Sequence, residues 1–164
     1  MNRKRATVYA IVFLCIVVSL MTIKVPTLMI TSEGHPQYVY HYKEEAEFRV
    51  RWQHSVEKES WEEMFVLQDG LIELTGTRFK TFGAGVPSNA GDHTFIKDGW
   101  VYMTGITHTI GKSLVLRTGE HTEHQLTYEE DTVHQLNRSQ AYEITIASHS
   151  ILNSIKHYIS AKLR

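Results

Sequence analysis

The chain has 164 residues, 42% of them hydrophobic and 21% charged, with one Cys, ten His, and 17 Lys and Arg against 18 Asp and Glu. That length supports one globular domain with a core and excludes two large ones. The near balance of charge excludes a surface devoted to nucleic acid, which needs a concentrated basic face, and a lone Cys excludes an internal disulfide.

Arg3, Lys4 and Arg5 precede an uncharged run from Val8 to Ile23, close to the roughly 20 apolar residues that cross a bilayer as a helix. Residues 1–24 are therefore expected to form a basic N-terminus and a membrane anchor. Three basic residues before the run and only Lys24 after it predict a cytoplasmic N-terminus, a single pass of the cell membrane and an extracytoplasmic remainder. A cleavable signal peptide is the rival reading, but no small-x-small site follows Ser19, and Lys24-Val25-Pro26 reads as a helix end at the interface. Cys15 follows Leu14 rather than a small residue, which argues against a lipoprotein site. Without Arg3, Lys4, Arg5 and Lys24, 13 basic residues remain against 18 acidic ones, a net −5 outside the anchor that favours solubility and disfavours tight adhesion to anionic lipid.

Residues 25–147 read as antiparallel β structure. Runs rich in Val, Ile, Phe, Tyr, Trp and Thr at 27–31, 37–42, 46–56, 61–68, 71–79, 94–97, 100–104, 113–117, 124–128 and 142–147 are the expected strands. Ser32-Glu33-Gly34, Asp69-Gly70, Asp98-Gly99 and Thr118-Gly119 are the turn signals between them, and Asp-Gly is a strong hairpin signal. The expected fold is mainly β, an antiparallel β-sandwich or partly open β-barrel, flanked by an N-terminal transmembrane helix and a C-terminal amphipathic helix over 148–164. In that last segment Ile151, Leu152, Ile155, Tyr158, Ile159 and Leu163 recur at helical spacing, with Lys156, Lys162 and Arg164 on the other face or at the end. The simplest expectation is a helix that packs its apolar stripe on a sheet; the alternatives are a membrane surface or a partner.

The alternation in 46–56 places His54 on the apolar face of its strand. A tight turn at 57–60 would set Val56 opposite Trp61, His54 opposite Glu63, Trp52 opposite Phe65 and Val50 opposite Leu67. A second hairpin at Asp69-Gly70 would set Leu67 opposite Ile72, Phe65 opposite Leu74, Glu63 opposite Gly76 and Trp61 opposite Arg78. One face then collects His54, Glu63 and Arg78, with Arg78 able to lie over the Trp61 ring. Burying such groups is costly unless they pair or border a ligand. Phe82, Gly83, Gly85 and Pro87 form a loop leaving the sheet beside them, with glycines that permit close approach and positive φ. A static ion-pair cluster and a simple turn are the structural alternatives.

Other chemistry finds less footing. Gly83-Ala84-Gly85 lacks the Gly-Lys-Ser/Thr ending of a phosphate loop, and no motif calls for a cofactor. His54, Ser55 and Glu57 include the residue types of a nucleophilic triad, but on a strand His54 projects opposite to Ser55 and Glu57. His121 and His124 are the alternative metal ligands, without a Cys pair or helical His frame. Trp100, Tyr102 and Met103 read as core and rim of a hairpin rather than a stacking platform.

Arg51-Trp52-Gln53-His54-Ser55-Val56-Glu57-Lys58, Glu62-Glu63-Met64-Phe65, Phe82-Gly83-Ala84-Gly85-Val86-Pro87 and Asp98-Gly99-Trp100 together resemble the bacterial family catalogued as domain of unknown function 1850, over roughly residues 28–147. The resemblance implies small, exported, membrane-anchored proteins associated with TAXI-type TRAP transporters, and carries over no catalytic residue. It adds Ser55, Glu57 and Glu62 to His54, Glu63, Arg78, Phe82, Gly83, Gly85 and Pro87 as candidate ligand- or partner-binding positions. The expected function is an accessory module whose partners are a transporter subunit or solute receptor, the membrane through its N-terminal helix, and a small anionic ligand that Arg78 would grip. The alternatives are a cell-surface hydrolase using His54 and Glu63 and a purely structural interaction module.

Overall fold

The computed structural model describes residues 3–83, 85–129 and 132–163. In chain order, α1 (Arg3–Thr22) leads into β1 (Lys24–Ser32), β2 (His35–His41), β3 (Glu47–Gln53), β4 (Ser60–Gln68), β5 (Leu71–Phe79), β6 (His93–Lys97), β7 (Trp100–Gly111), β8 (Ser113–Arg117), β9 (Gln125–Tyr128), β10 (Thr132–Gln135), β11 (Ala141–Ser150) and α2 (Ile151–Lys162). Among the described residues these strands form two antiparallel sheets, ordered β2-β1-β11-β8 and β10-β9-β3-β4-β5-β7-β6, and neither closes into a barrel. The expected β-rich sandwich is therefore the observed architecture.

Turn chemistry sets three of the connections. Glu33-Gly34, Asp69-Gly70 and Asp98-Gly99 each place two successive residues at positive φ, between 52° and 75°. That pair of angles matches the twist of the flanking strands and lets two residues reverse the chain. Thr118-Gly119 does not make a hairpin: Gly119 N donates to Thr122 Oγ1 at 2.8 Å within the longer connection from β8 to β9.

Period-two alternation supplies the core. Leu28 and Ile30 of β1 and Ile144 of β11 belong to one buried cluster with Phe48, Val50, Phe65, Leu67, Ile72 and Leu126 of the larger sheet. Phe48 and Phe65 pair directly across β3 and β4, their rings stacked at 4.8 Å. A second, smaller cluster of Phe79, Val101 and Met103 is covered by Val86 and Ala90 from the segment between β5 and β6. Gly91 locks that segment down: its φ is +69°, and a Cβ there would collide with the Thr104 carbonyl, next to the 2.9 Å hydrogen bond from Asp92 N to Thr104 O.

Several expectations are corrected here. β3 stops at Gln53 instead of running to Val56, and β7 continues to Gly111. β10, four residues long, is too short to read from its composition. β11 extends through Ser150, so α2 begins at Ile151 rather than Ser148, with Ser150 Oγ accepting from Asn153 N as the helix cap. α1 does cover the apolar N-terminal run, yet among the described residues no helix is long and apolar enough to cross a membrane. Its uncharged part, 6–22, spans about 26 Å at 1.5 Å per residue, short of a hydrocarbon core of about 30 Å.

α2 is also reversed in facing. It lies against β2 and β11, yet the half-buried residues are Ile151, Ser154, His157, Ser160 and Ala161, while Leu152, Ile155, Tyr158, Ile159 and Leu163 are 46–81% exposed. Of the expected apolar packing stripe, Leu152, Ile155, Ile159 and Leu163 are left in the open, while Ile151 is half-buried and Tyr158 borders a cleft with Tyr38 and Tyr40 of β2.

Phe48 and Phe65 occupy the centre of this packing, so Phe48→Ala should cost about 3–5 kcal/mol, whereas Val133→Ala on an exposed edge should stay within about 0.5 kcal/mol. Urea denaturation followed by tryptophan fluorescence measures both.

Candidate functional site

The β3–β4 ladder pairs Trp52 with Trp61, Val50 with Glu63 and Phe48 with Phe65, four residues away from the expected phase. Residues 54–59 form the hairpin loop, because His54 already belongs to it. His54 N donates to Glu59 O at 2.7 Å, Lys58 N donates to His54 O at 3.0 Å, and His54 Nδ1 accepts from Val56 N and Glu57 N at 3.3 and 3.2 Å. The imidazole caps its own turn instead of entering the core.

Across β4 and β5 the expected pairs Leu67–Ile72 and Phe65–Leu74 are present. The register then shifts between Met64 and Phe65, leaving Thr75 as an extra residue, so Met64 faces Gly76, Glu63 faces Thr77, Glu62 faces Arg78 and Trp61 faces Phe79. A one-residue slip exchanges sheet faces. Glu63 and Arg78, expected together, stand on opposite faces, and the cluster of His54, Glu63 and Arg78 does not form.

Its replacement is built on the outer face of the larger sheet. Glu62 Oε1 lies 2.8 Å from Arg78 Nη2, with side-chain exposures of 7% and 22%. Arg78 Nη1 donates to the Tyr102 hydroxyl at 2.8 Å. Burial by itself pulls the Arg78 pKa down; the Glu62 carboxylate and Tyr102 hydroxyl outweigh it and raise the value. Arg78 lies over Trp100 at 4.6 Å from the ring centroid, not over Trp61, while Lys80 and Arg51 approach the same ring at 4.5 and 5.6 Å. Arg51 is held by Ser60 Oγ at 3.0 Å, and Tyr102 stacks on Phe95 at 5.1 Å. Trp100 is thus a stacking platform for three cations, where the sequence pointed only to a hairpin rim. Against those cations this cluster sets one carboxylate, Glu62, and Arg78 Nε is buried with no hydrogen-bond partner. The arrangement can accept an anionic group.

The inner face of the sheet ends in an aromatic row. Trp52 stacks on Trp61 at 5.1 Å and on His124 at 5.9 Å, His54 lies 5.8 Å from Trp61, and Trp61 meets Phe79 edge-on at 6.2 Å. Trp61 Nε1 donates to Thr77 Oγ1 at 2.7 Å. Glu63 shares this face with Trp61, and burial pushes its carboxyl pKa up without an opposing charge. Phe82, mostly exposed, packs edge-on against Phe79 at 5.1 Å.

The glycine loop behaves as its composition implies. Gly85 has φ +80°, and a Cβ at Gly83 would overlap the Glu57 side chain, so this loop and the His54 loop meet through a glycine. Val86 N donates to Gly83 O at 3.2 Å, and Pro87 follows, half-buried; Ala84 lies outside the described residues. Ser55 and Glu57 are exposed in the neighbouring turn. His124 Nδ1 pairs with Thr122 Oγ1 at 2.9 Å, and burial lowers its pKa. His121 is exposed, and among the described residues no group of three or more His, Cys, Asp or Glu is placed to hold a metal.

Sequence reasoning missed Trp100, Tyr102, Arg51 and Lys80 as one group. The available signal was Thr75-Gly76-Thr77 inside an alternating run, since a strand glycine often marks a bulge. It also missed a cleft of about 320 Å³ lined by Tyr38, Tyr40, His134 and Tyr158, where the Tyr40 hydroxyl bonds His134 Nε2 and Tyr38 stacks on the same imidazole.

The family model for a domain of unknown function (DUF1850) matches residues 48–135, more than half of the chain. That span takes in the larger sheet and β8, and excludes β1, β2, β11 and both helices. No curated protein and no solved structure matches the chain.

Adjacent glutamates should respond oppositely to loss of charge. Glu62→Gln leaves Arg78 buried without its counter-ion and should lower stability by about 3–5 kcal/mol. Glu63→Gln should raise thermal stability at pH 7. A carboxyl raised on folding contributes fully below its unfolded value, 4.5, and that contribution is lost as pH rises through its folded value. The gain from Glu63→Gln should therefore vanish in melting curves taken below about pH 4.5.

Proposed function

The chain belongs to the DUF1850 family, a domain of unknown function, and from that premise we propose that it is a membrane-tethered, extracytoplasmic binding module, an accessory of a TAXI-type TRAP solute transporter. Its contact surface is the outer face of the larger sheet. The observation that carries this reading is Arg78: seated on Trp100, held by Glu62, and with a buried Nε that lacks an acceptor. Arg51 and Lys80 beside it leave the site with excess positive charge, suited to a small carboxylate or to an acidic patch on a solute receptor.

The tether is α1. Val8, Ile11, Val12, Phe13, Leu14, Ile16 and Met21 are each more than half exposed, and a helix apolar all round calls for an apolar surrounding. Lys4 and Arg5 reach along their stems to headgroups and make up the short span, with the N-terminus on the cytoplasmic side. The transporter setting is supported by the sequence resemblance described above. A proton-relay role for His54 has less support, because its Nδ1 already accepts two N–H groups of its own loop.

Affinity purification of the full chain from native membranes, with mass spectrometry of what accompanies it, tests the reading. Transporter subunits or the solute receptor should co-purify, and Lys80→Ala with Arg51→Ala should reduce their recovery at least about fivefold, consistent with loss of two cation contacts. Unchanged recovery in that variant overturns the assigned surface, and absence of transporter components overturns the accessory role.

A further inference from the structure

We propose that α2 lies on the surface of an anionic bilayer, with Leu152, Ile155, Ile159 and Leu163 dipped into the boundary between headgroups and acyl chains; this rests on α1 being the membrane tether. In water an amphipathic helix turns its apolar stripe to the protein. α2 does largely the reverse: it meets the sheet with Ser154, His157, Ser160 and Ala161, half-buried beside Ile151, and leaves Leu152, Ile155, Ile159 and Leu163 outside. The cost of that choice is visible in the contact, where Ser154 Oγ and His149 Nε2 are buried without hydrogen-bond partners. An outward apolar stripe bought at that cost needs a second apolar phase.

Position and charge identify that phase. Ile151 N donates to Ile23 O at 3.0 Å, so α2 starts where α1 ends. Ile11, Ile16 and Leu20 of α1 line one apolar hollow with Ile151, making the two exposed apolar surfaces continuous. The extracytoplasmic part as a whole is acidic, yet residues 151–163 contain no Asp or Glu. At about 100° per residue, Lys162 and Lys156 fall on the two sides of the apolar arc, where their stems run along the stripe and their ammonium groups meet lipid phosphates. An apolar face rimmed by lysines is the pattern of a helix lying in the interfacial plane.

Quenching by lipids brominated in their acyl chains tests this on the full-length chain in a Cys15→Ser background. The chain is reconstituted in phosphatidylcholine vesicles with or without phosphatidylglycerol and labelled with bimane at Ile155→Cys, Ile159→Cys, Asn153→Cys or Phe13→Cys. Labels at 155 and 159 should be quenched several-fold more than at 153, more strongly with phosphatidylglycerol, and less after Lys156→Glu with Lys162→Glu. Equal quenching at 155 and 153, with 13 quenched, overturns the placement of α2 and leaves the tether standing. Disulfide formation between copies at 155 in detergent, with no quenching in vesicles, also overturns it and assigns the stripe to a second copy. An unquenched label at 13 overturns the tether, and position 155 still decides whether α2 meets lipid.

Discussion

A carboxylate with almost no access to water, Glu62, faces the guanidinium of Arg78 across β4 and β5, and the outer face of the larger sheet is arranged around that contact. Neither group tolerates burial alone. Together they hold the arginine flat on Trp100, direct a second N–H group to Tyr102 and gather Arg51 and Lys80 around the same ring. The pairing depends on one extra residue, Thr75, whose side chain returns a hydrogen bond to the Met64 carbonyl at 3.1 Å. Without that bulge Arg78 would stand opposite Trp61 on the inner face, and the buried Glu62 carboxylate would lose its ion-pair partner.

The sheet therefore separates two kinds of chemistry. Its outer side carries charge that is matched inside and unmatched at the rim. Its inner side, beyond the reach of the smaller sheet, carries stacked aromatic rings and Glu63, whose carboxyl favours the protonated form more than a solvated one does. Glu62 and Glu63 are neighbours in sequence with opposite environments, and only the strand pleat distinguishes them. The family match stops at the boundaries of the larger sheet, so both faces of this sheet lie within the part shared with the family, while α1, α2 and the three long strands of the smaller sheet are outside it.

Both helices join the smaller sheet at one corner, where β1 begins and β11 ends. Each leaves large apolar side chains in the open. The smaller sheet thereby joins the larger sheet to the apolar ends of the chain: its inner residues pack on the larger sheet through Leu28, Ile30 and Ile144, and its edge strand β2 carries most of the contact with α2.

Local patterns were legible in the sequence. Alternation marks most strands, Asp-Gly steps mark two hairpins, and an apolar run marks α1, because each is governed by side chains within a few residues of one another. Phase was not legible. Where the His54 turn closes depends on backbone hydrogen bonds across six residues; whether Glu62 or Glu63 meets Arg78 depends on a bulge that no alternation rule counts. The facing of α2 depends on how it meets β2 and β11, strands far from it or just before it in the chain. The sequence by itself determined which segments extend and which coil, and that the chain is mainly β. Only the tertiary structure decided which charges share a face, because that follows from register between strands, and register is set by packing among residues far apart in the chain.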